Sequence, residues 1–253
     1  METEIALGRM HANLRALLEL LGSSAPASRI LRLPGVVGSC VPDTPDRSLL
    51  NVVTYERPVD LFAAHAQLDR DYRAAGVRAW SVWLMAGHDD VARFLEERGH
   101  KFDGGPMAML LDLEELAALP LDALDWSQTA DVAIFGRITD QAFGFPTPAF
   151  SAAMRRIDDP AVRLYLARDS GEPVSTVMTC DVEGDCGIYC VATLEAARGK
   201  GLSSRLMSAV LLEARRRGCA TASLQASSMG YPIYRKLGFR DLGRMALWEL
   251  RRA

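Results

Sequence analysis

The stretch Val191-Ala-Thr-Leu-Glu-Ala-Ala-Arg-Gly-Lys-Gly-Leu-Ser-Ser-Arg205 passes from a strand pattern through a glycine-rich turn directly into an amphipathic helix. Gly199 and Gly201 let the backbone take positive φ and approach an anion closely. The helix beyond them offers unpaired N–H groups and the positive end of its dipole. Arg198, Lys200 and Arg205 add mobile positive charge around the same point. A pyrophosphate suits such a turn. Two common phosphate motifs do not match it. A P-loop needs Gly-x-x-x-x-Gly-Lys-Ser/Thr, whereas Lys200 lies between the glycines and Leu202 follows Gly201. A dinucleotide fingerprint needs a third glycine where Ser204 stands and an acidic residue where Thr221-Ala-Ser223 is read.

The order Arg198-x-x-Gly201-x-Ser203 resembles the coenzyme A pyrophosphate loop of the GNAT superfamily of N-acetyltransferases, usually Gln/Arg-x-x-Gly-x-Gly/Ala. Ser203 departs from that form but is still small. Further on, Ser227-Ser-Met-Gly-Tyr-Pro-Ile-Tyr234-Arg-Lys-Leu-Gly-Phe239 is similar to the family's Asn-x-x-Ala-x-x-Leu-Tyr…Gly-Phe segment, with Ser227 for Asn, Gly230 for Ala and Ile233 for Leu. The resemblance spans roughly residues 126–253. It implies acetyl-CoA as co-substrate. The pantetheine arm would lie beside Val191, Ala192 and Thr193. The phosphates would be held by Arg198, Gly199, Lys200, Gly201, Leu202, Ser203 and Ser204, with Ser227 nearby. Tyr234 would be the general acid.

With 253 residues, 49% of them hydrophobic, the chain can bury a core of one large domain or two ordinary ones. A net charge of −3 gives no general argument for nucleic acid or an anionic membrane as partner. Met1-Glu-Thr-Glu-Ile5 lacks a basic region followed by an apolar core, and no stretch reaches the ~18 apolar residues a membrane span needs. A cytoplasmic protein is expected. Cys40, Cys180, Cys186, Cys190 and Cys219 form no C-x-x-C pair and read as reduced core residues. His11, His65, His88 and His100 lack metal-ligand spacing, so no metal is expected.

Periodicity predicts a helix over Glu4–Leu21, strands at Gly35–Cys40 and Leu49–Thr54, and a helix Val59–Ala75 closed by Gly76. A strand Ala79–Met85, a helix Asp89–Arg98 closed by Gly99 and a strand near Met107–Leu113 finish the first half. Glu114–Asp125 reads as a linker. Then follow a strand near Ala130, a helix Val132–Phe143, the turn Gly144-Phe-Pro-Thr-Pro148 and a short helix to Ile157. Strands at Val162–Ala167, Pro173–Asp181 and Gly187–Thr193 precede the helix Leu202–Arg217, whose end Arg215-Arg-Arg217 reads as solvated. A strand Ala220–Gln225, a helix Met229–Leu237 and strands around Phe239–Leu242 and Arg244–Leu250 complete the chain.

The halves echo each other. Gly76-Val-Arg-Ala-Trp-Ser-Val-Trp83 parallels Gly218-Cys-Ala-Thr-Ala-Ser-Leu-Gln225, Leu95-Glu-Glu-Arg-Gly-His100 parallels Tyr234-Arg-Lys-Leu-Gly-Phe239, and Met107-Ala-Met109 parallels Met245-Ala-Leu247. The first copy has Leu95 in place of Tyr234, and Glu56-Arg-Pro-Val-Asp60 in place of a glycine turn. The expected fold is α/β (α+β): two GNAT-like domains, each a mixed, mostly antiparallel sheet flanked by helices. Residues 1–120 would be a degenerate copy and 121–253 the acetyl-CoA-binding domain.

The resemblance implies transfer of an acetyl group to an amine of a small molecule or a protein by direct attack. A phenol of ordinary pKa about 10 keeps its proton at neutral pH, which suits donation from Tyr234 to the leaving thiolate. No general base is visible, because the fourth strand of this domain reads Gly187-Ile-Tyr-Cys190. Asp181 and Asp185 flank a hairpin turn that accounts for them without catalysis. Phe143, Phe145, Phe150 and Tyr231 are candidates to line the acceptor pocket. A non-catalytic acyl-CoA sensor or interaction module is the alternative, and a homodimer is compatible with either.

Overall fold

The computed structural model describes residues 2–85, 87–145 and 148–252. Met1, and Pro146 and Thr147 of the expected Gly144–Pro148 turn, lie outside the described residues. The chain opens with α1 (Glu2–Ser23), followed by β1 (Arg29–Leu33), β2 (Val36–Cys40), β3 (Val52–Tyr55), α2 (Pro58–Ala74) and β4 (Ala79–Leu84). Next come α3 (Asp89–Glu96), β5 (Lys101–Gly104), β6 (Met107–Asp112), β7 (Trp126–Thr129), α4 (Val132–Ala142) and α5 (Phe150–Ala153). The remainder is β8 (Val162–Asp169), β9 (Glu172–Val182), β10 (Asp185–Thr193), α6 (Leu202–Arg216), β11 (Thr221–Ala226), α7 (Tyr231–Lys236), β12 (Arg240–Arg244) and β13 (Ala246–Arg251). The linker carries one short 3-10 turn, Leu113–Glu115.

These elements form two compact units. Unit 1 is Met1–Asn13, Met107–Ser151 and Asp158–Leu242, around a sheet of order β12-β6-β11-β10-β9-β8-β7. Unit 2 is Leu14–Pro106, Ala152–Ile157 and Gly243–Ala253, around a sheet of order β1-β2-β3-β4-β13-β5. Each sheet holds a parallel pair, β10 with β11 and β3 with β4, flanked by antiparallel pairings such as β10 with β9, β11 with β6, β13 with β4 and β2 with β3.

In unit 1 the apolar stripe of α6 (Leu206, Met207, Val210, Leu211, Ala214) packs on Tyr165, Val177, Cys186, Ile188 and Leu224 of the sheet. Fully burying each of these larger side chains contributes about 1.5–3 kcal/mol. The β9–β10 connection is a two-residue hairpin turn with Glu183 (φ 48) and Gly184 (φ 79) both left-handed, the geometry that matches strand twist. In unit 2, α2 lays Leu61, Leu68 and Tyr72 on the sheet, with Tyr72 stacked on Trp80 at 4.9 Å.

Three expectations change. The short strands β1 and β5 fall in segments that carried no strand reading, because three of the four residues of Lys101-Phe-Asp-Gly104 are exposed and show no buried alternation. Met107–Leu113 had been grouped with the first half, yet β6 pairs with β11, from Thr221↔Asp112 to Ala226↔Met107. Conversely, β13 lies between β4 and β5. Last, Arg217 is not a solvated helix end: its guanidinium grips Asp181 at 2.8 and 2.9 Å and donates to Tyr165 Oη at 3.2 Å. Asp181 also accepts from Arg163 at 2.9 Å, so it is a paired carboxylate.

Candidate functional site

β10 and β11 pair only from Asp185↔Thr221 to Gly187↔Ser223. Beyond that point β11 stays in register with β6 as far as Ala226, while β10 follows β9 to Thr193. The strands therefore part, and residues 188–193 have no partner on β11. A bulge marks the parting: the β9–β10 register shifts between Tyr189 and Ala192, and Cys190 takes φ 51. Buried hydroxyls on β9 replace the lost ladder bonds. Thr176 Oγ1 donates to Cys190 O at 2.9 Å, and Ser175 Oγ donates to Ala192 O at 2.9 Å. Ser175 and Thr176 were missed in the sequence, although two adjacent hydroxyls inside a β-strand are a signal of backbone repair.

Val191, Ala192 and Thr193 thus lie on β10 at the parting, and Arg198 to Ser204 follow at the start of α6. Gly201 is the N-cap residue at φ 70, Gly199 has φ 79, and no side chain caps the helix. A Cβ at either glycine would meet nothing within 4 Å, so the left-handed backbone, and not crowding, calls for glycine here. The first-turn N–H groups, which no intrahelical carbonyl can reach, supply the donors. The charges are less mobile than expected. Arg198 Nε donates to Thr193 O at 3.2 Å, Lys200 Nζ pairs with Asp169 at 2.5 Å, and Arg205 donates to Asp122 O at 3.3 Å.

Tyr234 sits on α7 with its ring edge-on to Phe239 at 5.8 Å. Burial pushes its hydroxyl far above the ordinary phenol range, so it stays protonated. The ring lies directly over Gly230, where a Cβ would come within 2.7 Å of Cε2 and 3.1 Å of the hydroxyl oxygen. Only glycine accommodates this placement. Ser227 begins the turn: its Oγ accepts from Gly230 N at 3.2 Å and its carbonyl from Tyr231 N at 2.9 Å.

A polar row runs along the other face of β10 and β11. Asp185 is fully buried, and its carboxylate accepts from Thr221 Oγ1 (2.8 Å), Ser223 Oγ (2.6 Å) and Asn13 Nδ2 (3.0 Å). Burial raises its pKa against those hydrogen bonds. This corrects the reading of Asp185 as a turn acid: the turn ends at Gly184, and the next side chain points inward. Asn13 also accepts from Tyr189 Oη at 3.0 Å. Gly187 leaves it room, since a Cβ there would fall 2.0 Å from Asn13 Oδ1. Gln225 is next on that face of β11, and its Nε2 is buried without a hydrogen-bond partner among the described residues.

Phe143, Phe145 and Phe150 form one cluster, with centroids 5.6 to 6.1 Å apart. Asp140 holds the start of α5 by accepting from Ala149 N, Phe150 N and Ser151 Oγ at 2.8 to 3.1 Å. Tyr231 instead donates to Asp241 at 2.9 Å. Among the described residues no group of three or more His, Cys, Asp or Glu is placed to hold a metal ion. None of their helices is long and apolar enough to cross a membrane.

The glycine turn leading into a helix is the feature on which the family resemblance rests; the parting of β10 from β11 beside it was not foreseen. Residues 160–241 match the acetyltransferase (GNAT) domain. The match contains β8 to β11, the glycine turn and α7, so both motifs lie inside the matched residues. Among curated proteins no relative matches the sequence. A GCN5-related N-acetyltransferase from Kribbella flavida is similar in structure, with 19% identity, a TM-score of 0.69 and 96% of each chain covered. Another, from Sphaerobacter thermophilus, shares 18% identity over 87% of this chain and 82% of its own, at a TM-score of 0.58. A functionally unknown conserved protein from Staphylococcus epidermidis gives 14% identity, a TM-score of 0.65 and coverage of 88% and 93%. The fold is thus shared with GNAT acetyltransferases over nearly the whole chain.

Proposed function

We propose that unit 1 is an N-acetyltransferase that moves an acetyl group from acetyl-CoA to an amine of a small molecule or a protein. The observation that carries this reading is the parting of β10 from β11 next to a helix N-terminus with no side-chain cap. Bulge carbonyls 190 and 192 are already satisfied from β9, so the open side of β10 at Val191 to Thr193 is left to pair with the amide-bearing pantetheine arm. The first-turn amides of α6, together with Arg198 and Lys200, would hold the diphosphate, and Ser203, Ser204 and Ser227 are small enough to permit close approach.

In the reaction the amine nitrogen bonds to the thioester carbonyl carbon and the carbon–sulfur bond breaks. Tyr234 supplies a hydrogen bond to the departing sulfur. Because burial makes the phenol a reluctant acid, its proton moves only as thiolate charge develops. The nitrogen's surplus proton leaves through water. Gln225, with its unpaired buried amide, and the phenylalanine cluster are the groups available to the acceptor.

Unit 2 is read as a degenerate copy. The helix after its parallel strand begins with Pro58, which has no N–H, and Asp60 in the first turn takes up Arg57 at 2.7 and 2.9 Å. A carboxylate thus occupies the helix start where a phosphate would bind. The test is thiol release from acetyl-CoA with a panel of amines. Tyr234→Phe should lower turnover about tenfold or more while coenzyme A affinity stays unchanged. Binding without turnover on any amine or peptide would favour the sensor reading.

A further inference from the structure

Unit 2 contains a cavity of about 620 Å³ lined by His65, Asp69, Arg70 and Arg73 of α2, Arg98 of the turn after α3, and Arg252 beyond β13. The spacing explains the convergence. Residues 66, 69, 70 and 73 share one face of α2, and Arg252 is tied to the sheet through its N–H to Arg78 O at 2.8 Å. Four guanidinium groups and one carboxylate line the cavity, and outside the lining Arg98 also lies 3.8 Å from the Glu97 carboxylate. Asp69 is shared by Arg73, at 2.9 Å, and by Arg252. Arg70 donates to the neutral Gln67 at 2.7 Å, and Arg98 lies 3.6 Å over the Phe94 ring, which fixes its plane. The chain as a whole is acidic, so this concentration of positive charge is local.

We infer that this cavity binds a small anion with clustered phosphate oxygens, a pyrophosphate or a nucleoside diphosphate. Guanidinium forks match phosphate oxygens two at a time, which distinguishes such a ligand from a monovalent ion. The volume falls within the range of small-ligand sites, about 300–1,000 Å³, and suits a nucleotide-sized molecule. The site is separate from the glycine turn of unit 1 and does not depend on how that turn is read.

His65 reports on the cavity from inside it. Its Nε2 lies 3.1 Å from His100 Nε2, and His100 Nδ1 lies 3.3 Å from Trp248 O. A carbonyl only accepts, so His100 carries its proton on Nδ1 and His65 donates from Nε2. Burial, then the fields of Arg98 and Arg252, lower the His65 pKa to about 4. A bound anion offsets those fields and raises it.

The experiment follows the His65 imidazole signal by NMR in the full chain, assigned with His65→Gln, during titration with inorganic pyrophosphate or ADP at constant ionic strength. A saturable response is expected, with the His65 midpoint rising by about one unit. The tighter of the two probes identifies the source. Arg70→Gln and Arg98→Gln should each weaken the response about tenfold, with circular dichroism confirming the fold, and Gly201→Val should leave it unchanged. A wild-type response no greater than that to sodium chloride overturns the inference. So does equal affinity in the Arg70→Gln/Arg98→Gln double variant.

Discussion

Tyr234 and Gly230 form a matched pair at the residue scale. The usual family residue at 230 is alanine, and here the tyrosine ring fills the space its methyl group would need. Gly230→Ala should therefore displace the ring and lower turnover by about tenfold, close to the loss in Tyr234→Phe, with coenzyme A affinity retained. Kinetics and calorimetry on the two variants check this; an unaffected Gly230→Ala enzyme would contradict it. A second pair is Gly187 and Asn13. A methyl group at 187 collides with the asparagine amide that donates to Asp185, so Gly187→Ala should cost about 3 kcal/mol in urea unfolding. A loss within 0.5 kcal/mol, the range of ordinary surface changes, would mean that the network tolerates displacement. Neither pairing is legible in the sequence, because each joins a glycine to a side chain placed by the fold. Tyr234 could be singled out in advance only as a candidate, because it sits in a motif with fixed spacing.

At the scale of elements, periodicity served where one face is buried. α6 was expected at Leu202–Arg217 and spans Leu202–Arg216; β4 was expected at Ala79–Met85 and spans Ala79–Leu84. It did not tell which sheet a strand joins. Met107-Ala-Met109 and Met245-Ala-Leu247 share a pattern, and each strand pairs antiparallel with a parallel-pair strand, β6 with β11 and β13 with β4. Apolar spacing is blind to such an exchange. The polar alternation of Thr221-Ala-Ser-Leu-Gln225 was present to be read, yet its partner Asp185 looked like a turn residue. The bulge at Cys190 carries a prediction of its own. Thr176→Val removes the donor to Cys190 O and leaves that carbonyl without its side-chain partner, so it should reduce kcat/KM and cost about 1–3 kcal/mol of stability. Full activity in Thr176→Val would show that the bulge holds without it.

For the whole molecule, the buried His65–His100 pair makes one contribution to the response to acid. Burial comes first in lowering both groups to about 4 from 6.5, so the folded state favours the neutral pair. The sign follows: their contribution is complete above about pH 6.5 and is lost as the pH falls towards 4. The thermal unfolding temperature should drop across that window, and less steeply in His65→Gln; parallel curves would contradict this. The central claim is that α6 and the parted strands hold coenzyme A. Calorimetric titration of coenzyme A into wild type and Gly201→Val tests it most directly. Saturable binding to wild type, weakened about tenfold or more by a β-branched residue at the left-handed position, is the predicted result. Equal affinities, or no binding to wild type, would contradict it.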